Sequence, residues 1–396
     1  MLSTWYKKFS SQPHQPFFTS GMLLLITFTA VLLGVYSGFL DIGVSVINFH
    51  AYPMIFIIFI QFFLGFLFVV FPRFLMQPVL KPELYMKHFF IFLAGSLLYI
   101  AALFISDKLL IAASILLIAA QTNSFLLLLS IYRKSIVKDK YDTRWVLIAY
   151  ASGIVAHLFF IAAYFATPVS TLFENIAIKG GFYLFLFTVV FAISQRMIPH
   201  FTQVKVQGYQ INKTKKIMEI IFSLLVVKVA LLLIEPKYSF LADIPLFIFF
   251  VREFAKWKLP VTKVPAIIWV LYLSLAWIPV GFLISAIESL SALAGLGIEF
   301  EKAALHAFAV GYFLTILIGF GTRVVLGHSG RVPTADKPAI AIFLFIQVVA
   351  LSRIFAALSL NLALDYTFLI NLSATLMLAA LLAWCARYFR ILAISF

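Results

Sequence analysis

Cysteine occurs once in these 396 residues, at Cys385, and charged side chains make up only 11% of the chain. A lone cysteine excludes intrachain disulfides and thiolate metal clusters, which leaves histidine, carboxylate or backbone groups for any metal work. So little charge excludes an ordinary water-soluble domain, where roughly 25% of residues are charged. Acids are scarcer than bases, 15 against 30.

Hydrophobic residues fill the chain instead, at 64% of the total. Their runs recur along its whole length, each long enough for the ~20 residues that cross a ~30 Å hydrocarbon layer. Runs such as 111–129 are apolar nearly all round, which suits spanning helices rather than the alternating strands of a barrel. An all-α polytopic membrane protein is expected, one transmembrane domain over 1–396. Its first apolar run, about 20–40, is followed by further apolar runs and lacks a convincing cleavage site, so it is expected to stay as the first span. About twelve spans are expected, near 20–40, 52–72, 89–106, 109–132, 145–166, 178–198, 217–234, 239–251, 266–287, 304–326, 338–358 and 366–388.

Charge orients them. With both termini in the cytoplasm, 24 of the 30 Lys and Arg fall in cytoplasmic segments, and only Lys108, Lys179, Lys237 and Lys302 fall outside. That asymmetry is the positive-inside pattern. The net charge of +15 is thus a topology signal. Because the bases are scattered over short loops instead of gathered on one face, no nucleic-acid partner is expected. Arg73, Arg196 and Arg323 end spans two, six and ten at separations of 123 and 127 residues (196 − 73 and 323 − 196). This rhythm reads either as three quasi-repeats of four helices or as ordinary snorkelling arginines.

Seven histidines are distributed by depth. His50 opens span two and His306 opens span ten, both on the outer side. His157 is near the middle of span five. His88, His200 and His328 are at inner ends, and His14 is in the N-terminal tail. Neutral imidazole is the commonest side-chain metal ligand and can hold haem iron on either face. His50 and His306 at one depth on different helices are therefore the expected axial pair, with His306 and His157 as fallback. The bland alternative is a ring packed at the headgroup boundary.

Charges inside spans need partners, since one unpaired near the bilayer centre costs at least ~2.5 kcal/mol. Lys228 and Asp243 flank one outer turn at similar depth and are expected to pair as a structural element. Arg353 lies in the outer half of span eleven, where a haem propionate would be a bidentate partner; snorkelling toward Asp365 is the alternative. Gln121 and Asn123 are expected to hydrogen-bond between helices.

At the inner ends, Arg196, His200, Arg323, His328 and Arg331 gather near Gly327 and Gly330. They form a candidate site for an anion, for a metal through His200 and His328, or for anionic lipid.

The segment from His306 through Ala307, Phe308, Ala309, Val310 and Gly311, continuing from Thr322, Arg323 to Gly327, His328, Ser329, Gly330 and Arg331, resembles the signature of the NnrS family. Members of that family read close to HALTVG and then MTRVSLGHTGR. Gln195 to Thr202, QRMIPHFT, is similar to the family's GGRIIPFFT, and His14 to Phe18 resembles its RPFF. Phe49 to Phe74 aligns with WHAHEM and the stretch after it, giving His50 the first histidine, Gly65 the glycine and Pro72 the proline. The likeness runs from about residue 14 to 340. Departures are Tyr52 for the second histidine, Pro53 for the acid, Phe49 for the tryptophan and Gln15 for the arginine. The resemblance implies a membrane protein holding haem, here expected as b type, and copper, associated with denitrification and with resistance to nitric oxide and nitrosative stress. Tyr52 removes one imidazole from the copper-type motif.

A fainter likeness is architectural. Twelve spans with outer histidines on the second and tenth are similar in plan to the large subunit of haem-copper oxidases and nitric oxide reductases. Span seven has no histidine and His200 is at the wrong end of span six, so no oxidase-type binuclear centre is expected. The expected protein is thus a haem-binding one of the bacterial cytoplasmic (inner) membrane that meets nitric oxide or its adducts. A secondary transporter and an assembly partner of a respiratory complex are the alternatives. Pro279 and Gly281 in span nine, without matching interruptions in the first six spans, count against transport.

Overall fold

The computed structural model describes residues 2–394. All regular structure among the described residues is helical. Eleven helices are long and apolar enough to cross a membrane. They are span one His14–Tyr36, two Ile47–Phe74, three Pro82–Ile105, four Asp107–Lys134, five Tyr141–Ala163, six Ser170–Lys205 and seven Ile217–Ile234. After the eighth helix come span nine Ala266–Leu293, ten Ala303–His328, eleven Lys337–Leu362 and twelve Tyr366–Ala393. The chain is a multi-pass membrane protein.

The eighth helix differs from its expectation. It runs Phe240–Trp257 and is not among the eleven, because Asp243, Arg252, Glu253 and Lys256 interrupt its apolar surface. Glu253 shows what those charges do. It is buried and accepts from the Thr214 N–H (2.8 Å), the Thr214 hydroxyl (2.6 Å) and the Trp257 indole (2.9 Å), anchoring the basic segment before span seven. Prolines also interrupt the early spans, at Pro53, Pro72 and Pro199. The proline asymmetry expected of span nine is therefore absent.

The chain forms two compact units. One comprises residues up to Ala192 with the chain from Phe389 onward, and the other comprises Ile193–Tyr388. Within the first, Ser20, Gln61 and Ser96 form a buried polar chain across spans one, two and three. In hydrocarbon such bonds substitute for a hydrophobic drive to associate. Trp5 donates to the Ala393 carbonyl (2.9 Å), tying the first short helix to the last.

In the second unit Lys228 and Asp243 pair as expected, at 2.5 Å and with neither side chain exposed. Asp243 is saturated: its other oxygen accepts from Ser239 and Ser285, both 2.9 Å, and Lys228 also donates to Ser285 (2.8 Å). Both charges are thus satisfied within the protein, as burial in hydrocarbon demands.

Three spans are unlike the rest. Spans two, six and ten are 83%, 78% and 72% buried across their central windows, against 33–56% in the other eight. Each also opens into a wide π-helical stretch, Pro53–Ile58, Gly181–Phe187 and Ala307–Leu314. Counted from Pro53 these begin 128 and 126 residues apart (181 − 53 and 307 − 181), near the arginine rhythm, and span two carries a further wide stretch, Ile47–Ala51, just ahead of Pro53. Thr188 and Thr315, closing the second and third stretches, each send the hydroxyl to a carbonyl five residues back, Tyr183 (3.1 Å) and Val310 (3.4 Å). In span two Pro53 lacks the N–H that an α-helical turn requires. The recurrence of one irregular feature every four spans favours the quasi-repeat reading of the arginines. Wide turns of this kind are frequent at functional sites.

Candidate functional site

His306 is the last residue of the turn Ala303–His306, immediately before the wide stretch of span ten. Lys302, in a left-handed conformation at φ 64°, precedes that turn. The His306 Nδ1–H donates to the Lys302 carbonyl at 2.9 Å. This bond fixes the tautomer that keeps the lone pair on Nε2, the arrangement that metal-binding histidines ordinarily adopt. The loop before it is clamped as well. Asn361 donates to the Glu299 carbonyl (2.7 Å) and accepts from the Glu299 N–H (2.8 Å).

Span eleven, which carries Arg353, packs against the turn holding His306. Arg353 is half-buried with Nη1 shielded from solvent. Below His306, Gly311 lies flat on Trp277, where a Cβ would come within 2.4 Å of the indole. That indole is held by Gln347 (2.7 Å), which in turn donates to Thr315 (3.0 Å). The wide stretch after His306 is thereby pinned to spans nine and eleven.

His50 lies in the wide stretch Ile47–Ala51 and is half-buried. It belongs to the first unit and His306 to the second. Neighbouring Asn48 is fixed from two sides: its carbonyl accepts from Tyr99 (3.0 Å) and its amide oxygen from Tyr164 (3.2 Å). Burial, with Asp107 and Glu174 nearby, raises the Tyr164 hydroxyl above the usual phenol range, so it stays protonated at neutral pH.

His157 is fully buried, and both ring nitrogens are engaged within the first unit. Nε2 lies 2.8 Å from the Tyr52 hydroxyl and Nδ1 lies 2.9 Å from Gln121 Oε1. Because the amide oxygen accepts, the ring proton is on Nδ1 and Tyr52 donates to Nε2. Phe56 stacks on the imidazole at 4.4 Å, while Tyr52 stacks on Tyr99 at 4.6 Å and touches Phe160. Gln121 makes the interhelical bond expected of it, while Asn123 is exposed. The sequence marked Tyr52 only as a departure from a motif. Its tie to His157 was not anticipated, and the signal was there in a phenol standing where relatives place an imidazole.

At the inner ends, Arg323 lays its guanidinium 4.0 Å over the Phe201 ring, and its buried Nη1 has no hydrogen-bond partner among the described residues. Lys213 folds back to donate to the Gln195 side chain (2.6 Å) and carbonyl (3.3 Å). His200 and Arg331 are exposed, and Arg196 and His328 are half-buried. Among the described residues no three His, Cys, Asp or Glu side chains gather closely enough to hold a metal ion.

Eleven long apolar helices, three of them with irregular wide turns, define a polytopic membrane protein. The chain belongs to the NnrS family, whose model, described as NnrS protein, matches residues 8–394. This extends the likeness of residues 14–340 to nearly the whole chain. No curated protein matches the sequence.

Proposed function

We propose that this protein binds haem with His306 as an axial ligand in the bacterial cytoplasmic membrane and acts in the response or resistance to nitric oxide and nitrosative stress. The observation that carries the reading is the His306 ring. Its Nδ1–H is held by the Lys302 carbonyl, so Nε2 presents the lone pair that an iron ligand needs. Membership of the NnrS family supports it, as does the placement of His306 immediately before the wide turn of a deeply buried span.

A haem held there would supply one-electron chemistry and an iron that nitric oxide can reach. Arg353 would pair with its propionates, an acceptor that suits a half-buried guanidinium. His157 is the less suited ligand, since both nitrogens already serve Tyr52 and Gln121. Arg323, whose buried Nη1 has no acceptor among the described residues, is the inner-end residue suited to an anion, with Arg196 and Arg331 as flanking charges. His200 and His328 are not assigned a metal.

The test is an absorption spectrum of the detergent-purified protein, oxidised and then reduced, before and after addition of nitric oxide. A sharp reduced-haem band that shifts with nitric oxide supports the reading. A colourless protein that is well folded and was produced with adequate haem supply overturns it.

A further inference from the structure

We propose that Tyr52 is a one-electron redox residue that passes its proton to His157, and that it intercepts small uncharged oxidants dissolved in the membrane. The geometry singles it out from its neighbours. Oxidation of a phenol requires that its proton leave, so an oxidisable tyrosine needs a base at the hydroxyl. Tyr52 faces an imidazole nitrogen at 2.8 Å. Tyr99 and Tyr85 face backbone carbonyls and Tyr164 an amide oxygen, none of which takes a proton near neutral pH.

Two contacts offset part of the cost of burying the charge that this transfer forms. Protonation of Nε2 leaves an imidazolium whose Nδ1–H still donates to Gln121 Oε1 (2.9 Å). The Phe56 ring stacked at 4.4 Å presents an aromatic face to the cation. Gln121 gives up something to do this, because its Nε2 is buried without a partner among the described residues. A buried unpaired donor costs ~1–3 kcal/mol. The amide is thus set to hold one tautomer of His157 and not to satisfy its own bonds. Tyr52, His157 and Gln121 are all fully buried, a place that excludes charged reagents and admits small apolar ones.

The step balances as follows. The Tyr52 O–H bond breaks, its proton forms an N–H bond at His157 Nε2, and one electron passes to the oxidant. With nitrogen dioxide as oxidant the products are nitrite, a neutral phenoxyl radical and an imidazolium. A second nitrogen dioxide joining the ring carbon, with loss of the ring hydrogen as a proton, leaves 3-nitrotyrosine as a permanent record.

The experiment treats the purified full-length protein in lipid nanodiscs with nitrogen dioxide. Samples are frozen for electron paramagnetic resonance, and nitration is mapped by mass spectrometry. The expected result is a tyrosyl signal and nitration at buried Tyr52 ahead of Tyr6 and Tyr238, which are 42% and 40% exposed. Tyr52→Phe should abolish that signal. His157→Phe should lower Tyr52 nitration by roughly 100-fold, the low end for loss of a positioned base. If that variant does not fold, Gln121→Leu, which keeps both rings, should lower it too. Nitration ordered by exposure with Tyr52 unmodified, or a signal that survives Tyr52→Phe, overturns it, as does a Tyr52 share unchanged in the folded His157 or Gln121 variant.

Discussion

The Tyr52 hydroxyl donates to His157 Nε2 at 2.8 Å, joining span two to span five, and Gln121 of span four completes the link at 2.9 Å. Removing the central ring strands both partners in hydrocarbon. His157→Leu should therefore destabilise the folded protein by about 1–3 kcal/mol. Tyr52→Phe in the same chain should recover part of that loss, because a phenyl ring needs no acceptor. Thermal unfolding of the two variants in detergent checks the order, and coupling between neighbouring sites is expected to make the losses non-additive.

The Lys228–Asp243 pair gives a sharper contrast. Asp243→Leu removes the carboxylate paired with the buried Lys228 ammonium and should cost about 3–5 kcal/mol. Replacing both residues, as Lys228→Met with Asp243→Leu, should restore most of the stability. Yield and unfolding temperature of membrane-inserted protein read both outcomes.

Gly311 sits where a Cβ would approach Trp277 within 2.4 Å, and the indole cannot easily retreat while Gln347 holds it at 2.7 Å. Gly311→Ala should cost about 1–3 kcal/mol by overpacking. It should also disturb the wide turn following His306, so haem content should fall more than protein yield. Equal falls would mean that the glycine serves folding alone.

Arg353 provides a test of orientation. If it pairs with haem propionates, Arg353→Leu should weaken haem retention or move the reduction potential. Arg353→Lys should do so less, since charge is kept and only the fork geometry is lost. A redox titration of each purified variant distinguishes them, and an unchanged potential in the leucine variant removes Arg353 from the site.

Much of this fold was legible because hydrocarbon imposes a strict rule on backbone groups. Runs such as 111–129 could satisfy it only as helices, and the pairing of Lys228 with Asp243 followed from depth alone. The eighth helix was misjudged because four charged residues lie on it, and Glu253 among them bonds to Thr214 and Trp257, partners that span length does not reveal. The wide turns were invisible for another reason. Their hydrophobic residues read as unbroken helix, and only Pro53 and the hydroxyls of Thr188 and Thr315 mark where an extra residue enters. His306 was readable from position and motif, whereas its tautomer depends on the fold of Lys302. The Tyr52–His157 bond joins residues 105 apart, beyond the reach of local patterning.

Haem ligation by His306 is tested most directly by the haem-to-protein ratio of His306→Ala, purified beside the unaltered chain and compared with it by circular dichroism. Insertion depends on span hydrophobicity and basic loops, which this change leaves alone, so the variant should fold and reach the membrane. The account predicts that it retains little or no haem. A folded His306→Ala protein with undiminished haem and an unshifted spectrum would contradict it.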